Sequence, residues 1–252
     1  MLSQPKLENG VFEDTYTTSF AQTGIHNVLT NKSILSILEN IAGRHSAYVH
    51  FTFTDIAKYN LTWVLLNWKL KIIKRIGAET NIRIQTWGRL VTRIFVIRDF
   101  KIFDDKGDLC AIATSKWCLL DTQKGRIAKM PENLGEIYGG LHNESVFGIE
   151  DLPKLTEPTS LPIALDTYKI RRFDLDLNKH VHNLNYLNIA YELLPEDIFD
   201  GEELNNVEIL YKRELKYGDI VKSYLYKEDD VYTIVMKSED DSILHSIVKL
   251  YN

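Results

Sequence analysis

The stretch "YKIRRFDLDLNKHVHNLNYLNIAYE", residues 168–192, lies without a gap on "YTTSFAQTGIHNVLTNKSILSILEN", residues 16–40. Each opens on a tyrosine and runs into apolar residues at helical spacing. These are Ile34, Ile37, Leu38 and Ile41 in the first copy, and Leu184, Leu187, Tyr191 and Leu194 in the second. Identities are few, so the overlay is one of pattern, and its weight depends on whether the flanking elements also repeat.

They do. The first half reads as an extended segment at 11–20 and a helix capped at Asn31 or Ser33. Alternating segments follow at 62–75, 80–87, 91–103 and 108–120, the last two joined by the turn signal "DDKGD". The second half reads as a strand at 166–174, a helix from about 183 to 194, and strands near 205–216, 219–227, 231–238 and 243–251. "KLKIIKRIGAET" is laid over "KRELKYGDIV" by matching Gly77 to Gly218. Between the halves, Pro131, Pro153, Pro158 and Pro162 gather with Gly135, Gly139, Gly140 and Gly148, a linker composition. The sequence therefore predicts a first domain at 1–130, a linker at 131–162 and a second domain at 163–252. An antiparallel sheet with one apolar face needs a cover, and one helix per half supplies it. This is an α+β double hotdog: two tandem antiparallel sheets, each wrapped around a central helix, packed as a pseudo-dimer.

Composition bounds the function. The 252 residues are 44% hydrophobic and 26% charged, which suits a globular protein with a real core. No run approaches the roughly 18 apolar residues of a membrane span, and the N-terminus resembles neither a signal nor a transit peptide, so the cytoplasm is expected. A net charge of −5 without a basic tail argues against nucleic acid. Cys110 and Cys118 stand eight apart and read as buried thiols. There is no Gly-x-Ser-x-Gly elbow and no phosphate-cradling glycine motif.

The two copies differ in chemistry. Asp176, Asn178 and His180 fall opposite Gly24, His26 and Val28, and Glu214 falls opposite Ile73, so only the second copy carries a polar constellation. In an extended segment residues two apart face the same side. Asp176, Asn178 and His180 would then point together into a cleft before a helix starting near Asn183, whose free N–H groups suit a developing oxyanion. A strand-to-helix connection also uses Asp and Asn as turn and cap residues, and that reading stands beside the chemical one. His180 and His182 have no third partner at a metal-site spacing. Glu39 and His45 read as ordinary helix residues, and Phe51, Phe53, Trp63 and Trp68 as core.

"DLDLNKHVHNLNYL" followed by "YKREL" resembles the signature of acyl-acyl carrier protein thioesterases, and "WVLLNWKLKI", "DFKIFDDKGD" and "SKWCLLDTQKGRIAKMPENL" extend the likeness over most of the chain. The resemblance implies the double hotdog fold and hydrolysis of fatty acyl-acyl carrier protein to free fatty acid, which ends chain elongation. It also implies a bacterial-type enzyme that needs no cofactor or metal. The family's catalytic residues fall on Asp176, Asn178, His180 and Glu214, in the second domain; the first, which has the scaffold without the constellation, suits an acyl-binding or purely structural role. His182 stands where the family usually has asparagine, and Leu215 where plant members have cysteine. The sequence leaves open which of Glu214 and His180 takes the proton. The implied partner is an acyl carrier protein with its phosphopantetheine-linked chain, and further pairing into a homodimer is left open. The alternative is an acyl-coenzyme A thioesterase, or a hotdog protein that binds acyl groups without catalysis. An acidic carrier would meet basic "KIRR" (169–172), "YKRELK" (211–216) or "KIIKR" (71–75).

Overall fold

The computed structural model describes residues 4–148, 152 and 154–252. The chain divides into two compact units, Met1–Leu152 and Pro153–Asn252. In the first, strands β1 (Lys6–Glu8) and β2 (Val11–Thr17) precede the long helix α1 (Asn31–Tyr48) and the short helix α2 (Phe53–Ala57). Strands β3 (Leu61–Ile72), β4 (Asn81–Val91), β5 (Val96–Phe103), β6 (Leu109–Asp121) and β7 (Arg126–Ile127) follow, then helix α3 (Leu134–Ile137). The second unit contains β8 (Ala164–Lys169), α4 (Asn185–Tyr191), α5 (Glu196–Phe199), β9 (Asn206–Tyr211), β10 (Ile220–Glu228), β11 (Val231–Ser238) and β12 (Leu244–Tyr251).

Within each unit the strand pairs are antiparallel. The strands of the first unit run β1-β2-β4-β5-β6-β3, with β7 beside β6, and those of the second run β9-β12-β11-β10-β8. Read from β2 and from β8, the five main strands of each unit follow one order, so the repeat in the sequence is a repeat in topology. The hotdog arrangement is present in both units.

The helices are buried along the stripes their periodicity requires. Ile34, Leu35, Ile37, Leu38 and Ile41 of α1, and Tyr186, Leu187, Ile189 and Ala190 of α4, are all buried. Thr30 caps α1, its Oγ1 accepting the Ser33 N–H at 3.1 Å. The expected helix at 183–194 is shorter. Pro195, which aligns with Gly43 in mid-α1, cannot continue a helix, and the chain restarts as α5 after it. Within 131–162, α3 forms, and Leu134 and Tyr138 are buried in a cluster with Ile56, Val96 and Leu119; Pro153 lies outside the described residues.

Trp68 is core, Phe51 and Trp63 are partly buried, and Phe53 is exposed. His45 is not an ordinary helix residue. It is fully buried, its Nδ1 accepts from Arg98 Nη1 at 3.1 Å, and burial pushes its imidazole down to about 2. Cys110 and Cys118 are buried free thiols, and burial raises both above the ordinary range.

Candidate active site

The segment 174–182 is not an extended strand. Leu175 and Val181 pair as an isolated bridge, and the residues between them form a tight loop. The Asp176 N–H donates to the His180 carbonyl at 2.7 Å, and the Lys179 N–H donates to the Asp176 carbonyl at 3.1 Å. Lys179 takes a left-handed φ of 63°. The first unit closes the same loop with Gly24 N–H to Val28 C=O and Asn27 N–H to Gly24 C=O, both at 3.0 Å, and with Asn27 at φ 56°. The backbone repeats residue for residue, and the side chains do not.

What the second unit adds is an aspartate. Asp176 Oδ1 accepts from the N–H groups of Asn178 at 2.8 Å and His180 at 3.1 Å, and Oδ2 lies 3.5 Å from the Asn178 amide nitrogen. Asp176 therefore holds His180 through its backbone. The expectation that Asp176, Asn178 and His180 share a strand face is replaced by an Asx-type turn, because the carboxylate offers these N–H groups a local partner that a ladder would otherwise supply.

Glu214 also differs from expectation. β9 ends at Tyr211, and Glu214 lies beyond it in an irregular, exposed segment rather than in a half-buried strand. His180 forms a bridge with Lys216, and the Val181 N–H donates to the Leu215 carbonyl at 2.8 Å. Continuing this antiparallel register sets His182 across from Glu214. Val181 and Leu215 are buried, His180 is partly buried, and His182, Glu214 and Lys216 are exposed. The bridge sets Lys216, two residues from Glu214, beside His180, with Asp176 and Asn178 in the adjoining turn.

The first unit's counterpart of Glu214 is Arg75, not Ile73. There the Leu29 N–H donates to the Ile76 carbonyl, as Val181 does to Leu215. The equivalent turn places Glu79 at φ 56° where the second unit has Gly218 at φ 87°. Matching glycine to glycine slipped the alignment by two residues, because one turn fills its left-handed position with glutamate. Arg75 donates to Asn31 at 2.7 Å, so this unit has a cation where the other has a carboxylate.

Two amides at the helix start are satisfied by His182. α4 begins at Asn185, whose N–H donates to the His182 carbonyl at 2.8 Å, and the Leu184 N–H donates to His182 Nδ1 at 3.3 Å. His182 occupies the place of Thr30 in the overlay, and its imidazole accepts from the residue just before α4.

Sequence reasoning overlooked Tyr186 and His245. The buried Tyr186 hydroxyl accepts from the Leu215 N–H at 3.1 Å and lies 3.5 Å from the Arg213 carbonyl. Burial, reinforced by the charges of Glu214, Asp219 and Asp176, raises its phenol well above the ordinary range, so it stays a donor. The tyrosine lies within the quoted signature, next to its last residue Leu187, off the stripe of Leu184, Leu187, Tyr191 and Leu194 that the spacing singles out.

The fold and this loop define a two-unit hotdog protein whose second unit carries a polar loop. The family model for the acyl-ACP thioesterase N-terminal domain matches residues 9–138, and that for the C-terminal domain matches residues 163–249. The chain belongs to the acyl-ACP thioesterase family. It is 27% identical over 233 residues to oleoyl-acyl carrier protein thioesterase 1 of Arabidopsis thaliana, covering 86% of this chain and 64% of that protein. With the oleoyl-acyl carrier protein thioesterase of Coriandrum sativum the identity is 26% over 248 residues, covering 91% and 66%. The chain thus spans slightly under two thirds of the length of these chloroplastic relatives.

Solved structures share the fold. An acyl-ACP thioesterase from Bacteroides thetaiotaomicron superposes with a TM-score of 0.81 at 21% identity, covering 96% of this chain and 98% of that one. The 12:0-ACP thioesterase from Umbellularia californica gives 0.83 at 19%, covering 98% of each.

Proposed function

We propose that the protein hydrolyses the thioester of fatty acyl-acyl carrier protein, releasing free fatty acid and the carrier's thiol. The observation that carries this reading is that two units with one backbone differ at the loop and its facing segment. Asp176, Asn178, His180 and Glu214 stand in the second, and Gly24, His26, Val28 and Arg75 in the first. Packing alone gives no reason for that asymmetry. Domain roles follow: a first unit that binds the acyl chain and a second that catalyses, joined through 131–162.

In the reaction, water adds to the thioester carbonyl, the C–S bond breaks, and the proton that water loses ends on the departing sulfur. Glu214 is the preferred base, with His180 orienting the water or protonating the thiolate. Asn178 presents a neutral amide donor near the loop, and Asp176 keeps the loop closed. No metal or cofactor is required by these steps. Both cysteines lie in the first unit's sheet as buried thiols, which supports water rather than a cysteine as nucleophile.

The same unit supports docking of an acidic carrier. Lys169, Arg171, Arg172, Lys212, Arg213 and Lys216 are all exposed, and among the described residues none of them is held in an ion pair. Lys74 of the first unit, by contrast, is bound to Asp104 and Asp108. No helix among the described residues is long and apolar enough to cross a membrane, and we assign the enzyme to the cytoplasm.

The test is thiol release from a panel of acyl-carrier-protein and acyl-coenzyme A thioesters. Glu214→Gln keeps shape and removes the basic oxygen, so turnover should fall by roughly 10² or more with the fold intact. His180→Ala should do comparable damage, whereas Cys110→Ser and Cys118→Ser should leave hydrolysis largely unchanged. Faster turnover of the coenzyme A thioesters would replace the carrier in this reading, and full activity of Glu214→Gln would remove the base.

A further inference from the structure

We infer that Tyr186 and His245 are positioning residues that clamp the backbone on both sides of Glu214 and so aim its carboxylate. The inference rests on the role proposed for Glu214.

A base on an irregular, exposed segment has a problem of freedom. Each unfixed residue samples many backbone states, and a reacting group displaced by about 1 Å can lose a hundredfold in rate. The residues next to Glu214 are not left free. The Tyr186 hydroxyl takes the Leu215 N–H at 3.1 Å and faces the Arg213 carbonyl at 3.5 Å. These two groups belong to the peptide planes that flank the Glu214 Cα, so one hydroxyl spans the residue. His245 Nδ1 lies 3.0 Å from the same Arg213 carbonyl, which can only accept, so the imidazole donates there. The His245 carbonyl in turn accepts from the N–H groups of Lys212 at 2.9 Å and Arg213 at 3.3 Å. Both side chains are buried, at 3% and 6% exposure, so neither competes with water for these bonds.

The first unit is an internal control. It makes the same backbone turn, with the N–H groups of Ile73 and Lys74 donating to the Cys110 carbonyl at 2.8 and 3.0 Å. Its counterpart of Tyr186 is Ile34, its counterpart of His245 is Cys110, and its counterpart of Glu214 is Arg75. Ile34 has no polar atom, and the Cys110 thiol points to the Asp108 carbonyl at 3.4 Å. The fold therefore forms this turn without a hydroxyl or an imidazole at these two positions. The clamp accompanies the carboxylate.

The experiment is a double-mutant cycle on thiol release from acyl-carrier protein. Tyr186→Phe removes one oxygen and keeps the ring in its packing. Alone, it should lower kcat by roughly 10- to 100-fold and leave KM within about twofold. In the Glu214→Gln background it should cost little more, because the residue it positions has already lost its function. A purely structural role would instead cost the same factor in both backgrounds. That result overturns the inference, as does an undiminished kcat in Tyr186→Phe. If Glu214→Gln itself turns over like the parent, the base assignment falls and the positioning role falls with it, and that outcome is distinct from the other two. Should Tyr186→Phe fail to fold, His245→Cys installs the residue the first unit tolerates there and is read through the same cycle.

Discussion

Two carboxylates in this protein are set by opposite surroundings. Asp176 is pinned by two backbone N–H groups at the mouth of the loop. Hydrogen bonds to a charged group contribute about 1.5–3 kcal/mol each, so Asp176→Ala should open the loop. It is expected to speed amide exchange at His180 and lower turnover, whereas Asp176→Asn keeps an acceptor oxygen and should keep the loop closed. Equal exchange rates in the two variants would contradict this. Glu39, on α1 of the first unit, is the opposite case: burial raises its carboxyl from 4.5 to about 7, and the neighbouring Trp68 indole offsets only part. The folded state then holds the proton more tightly than the unfolded one. The favourable contribution is complete below about 4.5 and is lost as pH rises through about 7, a span worth roughly 3 kcal/mol. Glu39→Gln, which cannot ionise, should therefore gain stability relative to the parent between about pH 5 and about pH 8. Denaturant midpoints at the two ends check it, and a constant difference would count against a buried, raised carboxyl.

Turns decide more at the level of elements than their lengths suggest. The β1–β2 hairpin pairs Glu8 with Val11 across Asn9 and Gly10, both at positive φ, 50° and 77°. This is the two-residue turn whose twist matches the strands. A Cβ on Gly10 would stand 2.7 Å from the Gly140 carbonyl oxygen, a backbone atom that cannot swing away. Gly10→Ala should thus cost roughly 1–3 kcal/mol, seen as a lower denaturant midpoint. An unchanged midpoint would show the hairpin relaxing without loss. In the second unit Pro195 ends what Gly43 allows α1 to continue, and α4 is left with seven residues. That short helix still presents Tyr186 to the segment that carries Glu214.

For the molecule as a whole, the repeated topology gives two units of one design. Lys169, Arg171 and Arg172 sit at the end of β8 and just past it, and all three are exposed. Reversing them to Glu should slow association with an acidic carrier protein. The loss should shrink as salt rises, because screening shortens the reach of charge to about 8 Å at physiological ionic strength. Stopped-flow association at two ionic strengths is the measurement. An equal loss on a small neutral thioester would assign the patch another role.

The repeat, the antiparallel strands, one covering helix per half, the buried cysteines and the asymmetry between the two loops are all legible in the residues alone. These rest on local periodicity and residue type, which a chain carries wherever it folds. The sequence did not determine that segment 174–182 curls into a turn. That depends on whether Asp176 bonds its own backbone or leaves it to a neighbouring strand, and only the packed structure settles the competition. Nor did it determine which residue faces Glu214 in the other copy. The register of two turns depends on which residue accepts a left-handed φ, and Glu79 does so without a glycine to announce it. The contacts of Tyr186 and His245 with one peptide carbonyl join residues far apart in the chain, at 186, 213 and 245. No local pattern encodes such a meeting, because it exists only once the helix and the strands have packed.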